Sequence, residues 1–486
     1  MLILKCVISE YSEQIVEIMN ESLRSGIYPT VWKYTVVVPI PKVKNSINVV
    51  DMRPINMAPV MSKILQNIVK KQLESHIKSN NILSKFQSAF REKHSCETAL
   101  KLVINNWKET MEEKKVIVAA FIDLKIAFET VVVEIMLQVL HKYGIDGVVL
   151  DWFKDWMTNR TQIVKFKNTI SSARKVEIGI PQGVPLSCPL FNLYFNDIVE
   201  FVENCVLNLF ADDALLWTAS YSLDEAILNI QNDLNRINNF LKMCKLKINI
   251  EKTNFMIITR KAHADSTNIT IDDIPIRQVN VVKYLGVMID NRLSLKQNTE
   301  FVIKKIAKKT GFLMRNSRKM DKATKLLLYK SIVGPHLDYC STILYLCNNS
   351  EISELQKLQN RALRAILKED RYASIDAMLK ATNLLDVKQR ICYNVLILIY
   401  KAKNNLLPDY LCERLRYVRQ AQPYTLRNNS YFRPLALLSA SSQNSVFYNG
   451  IIMFNQMLYQ NYKTNCEFSE FKREAISFVT NNYSSH

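Results

Sequence analysis

Two short apolar runs, Leu207-Asn208-Leu209-Phe210 and Ala214-Leu215-Leu216-Trp217, are separated only by Ala211-Asp212-Asp213. Runs of this length read as buried strands, so the two acids fall at the tight turn of a hairpin. Upstream, Val116 to Leu124 is apolar except for Asp123 near its end, the pattern of a central strand covered on both faces. Val36-Val37-Val38, closed by Pro39-Ile40-Pro41-Lys42, and the stretch Lys175 to Pro181 read as further strands. Helical spacing predicts helices over 11–28 (Ile15, Ile18, Met19, Leu23), 61–78 (Ile64, Leu65, Ile68, Val69, Leu73), 96–112, 130–142, 146–157, 189–202 and 223–244. In this order, a strand and helices precede a strand, a hairpin and a long helix. That suits an α+β fold with an antiparallel sheet backed by helices, not a doubly wound sheet.

Charge changes the picture at the hairpin. Adjacent carboxylates between apolar strands repel each other and lose hydration, which is costly unless a cation neutralises them. Hard divalent ions such as Mg2+ take oxygen ligands of this kind, and an exposed Asp-Asp turn is the plainer alternative. Asp123, ending a buried strand, needs a partner that a metal shared with Asp212 or Asp213 would supply. Lys42 and Arg53, the latter held extended by Pro54, could face each other across two strands and hold a triphosphate, or stand as two solvated cations.

Composition narrows the class. The 486 residues are 48% hydrophobic, enough for two or more cored domains, and carry a net charge of +19, which suits a polyanion. The ten cysteines form no CxxC pair or zinc array and read as reduced thiols. There is no signal segment, no run of membrane-spanning length, no Walker loop, GxGxxG or HExxH. The expectation is an intracellular protein, nuclear or cytoplasmic, neither secreted nor membrane-bound, of unspecified oligomeric state.

Ordered along the chain, several segments carry a resemblance. Phe121-Ile122-Asp123-Leu124-Lys125-Ile126-Ala127-Phe128-Glu129, Gly179-Ile180-Pro181-Gln182-Gly183 with Val184 to Phe191, and Phe210-Ala211-Asp212-Asp213 are similar to the three catalytic motifs of reverse transcriptases. Their surroundings resemble the jockey-type, non-LTR (LINE-like) retrotransposon branch. Trp32-Lys33, Pro39 to Lys42 and Arg53-Pro54-Ile55-Asn56 look like finger motifs, and Phe86-Gln87-Ser88-Ala89-Phe90-Arg91 like the family's QxGFR turn. Leu246 to Thr253 looks like the fourth palm motif, and Tyr284-Leu285-Gly286-Val287 like the primer-grip hairpin.

The resemblance implies a right-hand polymerase. Asp123 and Asp212, with Asp213 beside them, would hold two Mg2+ ions, Mn2+ being an alternative. Lys42 and Arg53 would clamp the triphosphate, Gln182 would hold the incoming sugar with Gly183 also in the substrate site, and Lys252 would protonate pyrophosphate. Phe128, five residues past Asp123, would leave no room for a 2′-hydroxyl and select dNTPs, which disfavours an RNA-templated RNA polymerase. Arg91, Tyr284, Leu285 and Gly286 would contact nucleic acid. From Lys283 to Lys330 there are 13 Lys or Arg against three acids, and Lys304, Lys305, Lys308 and Lys309 recur at helical spacing. This reads as a thumb helix along the backbone of an RNA template and DNA primer.

Expected domains are fingers and palm (1–282), primer grip and basic thumb (283–345) and a helical extension (346–486), whose Leu355, Leu358, Ala362 and Ile366 sit at helical spacing and which Tyr424-Thr425-Leu426-Arg427 punctuates. Glu129, Lys125-Ile126, Val184 and Cys188 depart from the family's usual residues. The expected activity is RNA-directed DNA synthesis. The alternative is a catalytically inactive remnant that only binds nucleic acid. With no endonuclease segment before the polymerase and no RNase H after it, the chain is expected to be a shortened element that does not transpose alone.

Overall fold

A computed structural model describes residues 2–42, 46, 48–260, 268–345, 347–417, 431–433 and 446–483, so Tyr424 to Arg427 lies outside the described residues. After α1 (Leu2–Ser25), strands β1 (Tyr34–Pro41) and β2 (Met52–Met57) form an antiparallel pair in which Ile40 opposes Arg53. Helices α2 (Val60–Ser79) and α3 (Cys96–Glu112) follow, the second opened by a Ser95–Thr98 capping box. Strand β3 (Val116–Ile122) then enters the centre of the molecule.

Every residue of β3 is buried, and its pleat divides them between two cores. Val116, Val118, Ala120 and Ile122 join residues of α2 and the later helices on one face. Ile117, Ala119 and Phe121 meet Leu100, Ile104 and Trp107 of α3 on the other. Each larger side chain so enclosed contributes roughly 1.5–3 kcal/mol over an exposed one, which fixes the register of the strand that ends in Asp123.

Helices α4 (Val133–Lys142) and α5 (Gly147–Met157) lead to β4 (Arg160–Phe166), which runs parallel to β1 and pairs with β5 (Thr169–Ile170) and β6 (Arg174–Val176). The strand expected over Lys175 to Pro181 is therefore only its first two residues. The reason is long-range: the buried Arg160 guanidinium, which also bonds Met157 O at the end of α5 (2.9 Å), takes the carbonyls of Ile178 (3.3 Å) and Gly179, which a ladder would need. Gly179 also turns to φ +81.

The helix expected over 189–202 is α6 (Ser187–Asn196) followed by a tighter 3-10 segment, Asp197–Phe201. It starts two residues earlier, with Pro189 still in the first turn, where a missing N–H leaves nothing unsatisfied. Next come β7 (Val206–Phe210), β8 (Asp213–Ser220), α7 (Leu223–Met243) and β9 (Asn254–Ile258). A small hairpin of β10 (Thr270–Ile271) and β11 (Ile274–Pro275) precedes β12 (Arg277–Gln278). The central sheet has the order β12-β9-β3-β8-β7 and is antiparallel except for the β12–β9 pair. This is the α+β architecture expected.

The hairpin of β13 (Val281–Tyr284) and β14 (Val287–Asp290) covers the α3 side of the sheet, and the basic helix α8 (Lys296–Asn316) follows. Helices α9 (Lys322–Leu328), α10 (Gly334–Asp338) and α11 (Ser341–Leu344) lead into α12 (Asn349–Leu367), α13 (Ile375–Thr382) and α14 (Val387–Lys403). Ile306 and Leu313 of α8 share one core with Leu355, Leu358, Ala362 and Ile366 of α12 and with Val387 and Ile391 of α14. The floor of the basic helix is thus built from both sides of residue 345. After α15 (Asp409–Cys412), helices α16 (Val446–Tyr459) and α17 (Phe468–Asn482) pack on α14 around Val395, Ile399, Phe454 and Phe471. Arg414 reaches back to Glu109 of α3 at 2.6 Å, and the Thr342 hydroxyl bonds Glu97 of the same helix.

Candidate active site

The acidic hairpin forms as its pattern predicts. Phe210 pairs with Asp213, leaving Ala211 and Asp212 as a two-residue loop. Such loops need a positive φ that glycine usually supplies, and Ala211 adopts φ +57. In the neighbouring strand Ile122 pairs with Ala214, so one further step brings Asp123 to the level of Asp213. The Asp123 carboxylate accepts from Asn249 Nδ2 at 2.9 Å. Its carbonyl accepts from the Asn249 N–H at 2.8 Å, and its own N–H donates to Thr253 Oγ1 at 3.2 Å. Asn249 and Thr253 fix where the first acid points. Sequence reasoning passed over both, although they lie in the segment resembling the fourth palm motif.

Asp212 and Asp213 each feel a neighbouring acid. Asp213 is exposed, yet the protein around its carboxyl strips enough water to raise its pKa. Asp212 and then Asp123 add repulsion, and the result is about 6. Burial and Asp123 also raise the Asp212 carboxyl, against the opposing pull of its own backbone N–H, Arg53 and Lys42. Lys42 and Arg53 are diagonal neighbours on one face of the β1–β2 pair, and do not stand directly opposite each other. The Lys42 N–H bonds Asp51 O at 2.7 Å, while Arg53 opposes Ile40. Both side chains are exposed.

Uncompensated carboxylates with hard oxygen donors and an open side fit a divalent cation. Among the described residues no three His, Cys, Asp or Glu side chains close into a ready-made cage. Mg2+ is commonly held by one or two carboxylates plus water and substrate phosphates, so this donor set suits it.

Gln182 is linked to the site through Glu129, whose carboxyl feels Asp212. Its Nε2 donates to Glu129 Oε1 at 2.9 Å, and its carbonyl accepts from Asn56 N–H at 2.7 Å, which ties the turn to β2. Gly183 sits at φ +92 with Ile55 Cγ2 only 3.1 Å from where a Cβ would stand. Glu129 is raised chiefly by burial, with Lys42 and Gln182 opposing and Asp212 adding to the rise; its Oε2 has no hydrogen-bond partner. Phe128 is half-buried and stacked on Phe191, with centroids 4.5 Å apart. Lys252 is exposed three residues beyond Asn249, and its N–H bonds Asn249 O at 3.1 Å.

Tyr284 and Arg91 are placed differently from expectation. The Tyr284 ring is buried against Phe121 at 5.6 Å, because period-two alternation turns it into the core; it offers no face to nucleic acid. Leu285 and Gly286, at the tip of that hairpin, are half-buried, and Tyr339 donates its hydroxyl to Leu285 O at 2.7 Å. Arg91 spends its guanidinium on Ser84 O (2.7 Å) and Gln87 O (3.1 Å), so it staples its own turn. Lys304, Lys305, Lys308 and Lys309 are all exposed on α8, and Lys305 lies over the Phe301 ring at 4.2 Å.

Residues 40–289, which hold all three acids and every turn just described, match the family described as reverse transcriptase (RNA-dependent DNA polymerase). The chain belongs to that family. The reverse transcriptase region fills more than half of it. The chain is 25% identical over 412 residues to the RNA-directed DNA polymerase from the mobile element jockey of Drosophila melanogaster, covering 82% of this chain and 44% of that protein. It is 27% identical over 357 residues to a protein described as the probable RNA-directed DNA polymerase from transposon X-element of the same species, covering 72% and 39%. The chain thus spans about two-fifths of the length of these relatives. Among solved structures, a Candida tropicalis telomerase in complex with a fragment of telomeric RNA aligns over 92% of this chain and 64% of that one, at 11% identity and TM-score 0.43. Among the described residues no helix is long and apolar enough to cross a membrane.

Proposed function

We propose that this chain is the polymerase portion of a mobile-element reverse transcriptase, adding dNTPs to a primer 3′-end on an RNA template. The observation that carries the reading is the strand pairing that sets Asp123 level with Asp213, with Asp212 in the loop beside them, at one end of the central sheet; Arg53 and Lys42 offset part of the charge on Asp212. In this reading residues 1–282 are fingers and palm, 283–345 primer grip and thumb, and 346–486 the helical extension. Its setting is an intracellular compartment holding the template, the nucleus or the cytoplasm.

Bound at the three acids, two divalent ions would supply Lewis acidity toward the primer hydroxyl and neutralise charge on the leaving pyrophosphate. The remaining work belongs to side chains. Lys42 and Arg53 hold the triphosphate against the acids, where three carboxylates alone would repel it. Gln182, oriented by Glu129, holds the sugar. Phe128, backed by Phe191, fills the space a 2′-hydroxyl would need. Lys252 delivers a proton to pyrophosphate. The exposed lysines of α8 follow the phosphate backbone.

Primer extension on an RNA template with dNTPs or NTPs tests this, using the unmodified chain, Asp212→Ala and Phe128→Val. The expected pattern is dNTP incorporation by the unmodified chain, background with Asp212→Ala, and gained NTP use with Phe128→Val. No incorporation by the unmodified chain overturns the reading in favour of a binding-only remnant.

A further inference from the structure

Ala211 sits one residue before Asp212 at φ +57, a conformation an alanine leaves readily unless something outside the loop pins it. Its N–H donates to Oε1 of Gln87 at 3.0 Å, across 124 residues of sequence. The same oxygen accepts from the Ala89 N–H at 3.0 Å. Gln87 is only 1% exposed.

The turn that delivers Gln87 is itself fixed on three sides. Ser88 N–H donates to Leu209 O at 2.9 Å and Leu209 N–H to Phe86 O at 3.0 Å, which adds a short parallel rung to the outer edge of β7. Asn192 Nδ2 holds Ala89 O at 2.9 Å. Arg91 draws in the carbonyls of Ser84 and Gln87. A rigid mount therefore presents one carbonyl oxygen to the peptide that precedes the catalytic pair.

The Gln87 Nε2 group, by contrast, is buried with no hydrogen-bond partner. Leaving a donor unsatisfied is costly, so the side chain is kept for its acceptor. A glutamate would offer the same acceptor while adding a fourth negative charge beside Asp123, Asp212 and Asp213. A neutral amide supplies the bond without the charge.

We propose that Gln87 is a positioning residue for the polymerase: its carbonyl clamps the Ala211 peptide and so sets where Asp212 and Asp213 present their carboxylates. The kinetic consequence rests on the function proposed above, whereas the clamp does not. Gln87→Met removes the acceptor at nearly constant volume, and Gln87→Glu keeps it. Hydrogen–deuterium exchange on the full chain, with β3 as internal reference, is expected to show the 207–215 segment exchanging at least about tenfold faster in Gln87→Met and near the unmodified rate in Gln87→Glu. In primer extension, Gln87→Met lowers kcat about 10²-fold with KM for dNTP nearly unchanged, and Gln87→Glu recovers part of the loss.

Unchanged exchange over 207–215, or faster exchange spread equally through β3, overturns the clamp. Faster local exchange with unchanged kcat overturns its catalytic consequence. If Gln87→Met does not fold, the unmodified chain decides: an Ala211 amide that exchanges as fast as an open loop overturns the clamp. An unmodified chain without activity counts against the polymerase reading, and the exchange comparison then judges the clamp alone.

Discussion

Replacing Asp213 by asparagine should make the metal-free protein more stable while abolishing its activity. Folding raises this carboxyl from 3.8 to about 6 through burial and two acidic neighbours. At ~1.4 kcal/mol per pH unit, that rise is worth about 3 kcal/mol for a group sealed from water. Asp213 is exposed, and solvent screens the repulsion, so the expected gain is about 1 kcal/mol. The sign follows from proton binding. The folded protein holds this proton more tightly than the unfolded chain, so the group costs nothing below pH ~4 and its full amount above pH ~6. Urea unfolding of both proteins in EDTA at low ionic strength should give curves that separate at pH 8 and converge near pH 4. Added Mg2+ should stabilise the unmodified chain more than the variant, because binding to the folded state alone is what shifts the curve. A variant no more stable at pH 8 without divalent ions would refute the reasoning, as would a gain that persists undiminished at pH 4.

Two further outcomes are expected. Gly179→Ala would place a Cβ 2.5 Å from Glu129 O at φ +81, so chemical denaturation should show a loss of about 3 kcal/mol or more, or no folded protein. Replacing Lys304, Lys305, Lys308 and Lys309 together by alanine should weaken template–primer binding whatever its sequence. On duplex, the log Kd against log salt plot should flatten by about 3 to 4 in slope, read by fluorescence anisotropy.

How much of this was legible in the sequence depended on the range of the interactions. The acidic hairpin, the all-buried β3 and helices such as α3 announce themselves because apolar runs and helical spacing are local, and they hold in the structure. The strand expected over Lys175 to Pro181 did not form because Arg160, from another strand, takes two of its carbonyls. Nothing within the segment signals that. Tyr284 and Arg91 are polar residues in motifs, which drew attention to their reach, whereas their contacts are with the protein's own core and backbone. Gln87 was visible as part of a motif, but the use of its side chain was hidden: its partner is a backbone N–H, and a backbone group leaves no residue type to read.

The shared floor beneath α8 has a consequence for how the chain is made. Ile306 and Leu313 leave the ribosome well before Leu355, Ile366 and Ile391, the side chains that will cover them. Until those arrive, the most cationic of the described helices stands with only part of its hydrophobic backing, beside an mRNA that is itself a polyanion. A nascent chain stalled in that interval would present a loose, positively charged arm to the transcript that encodes it.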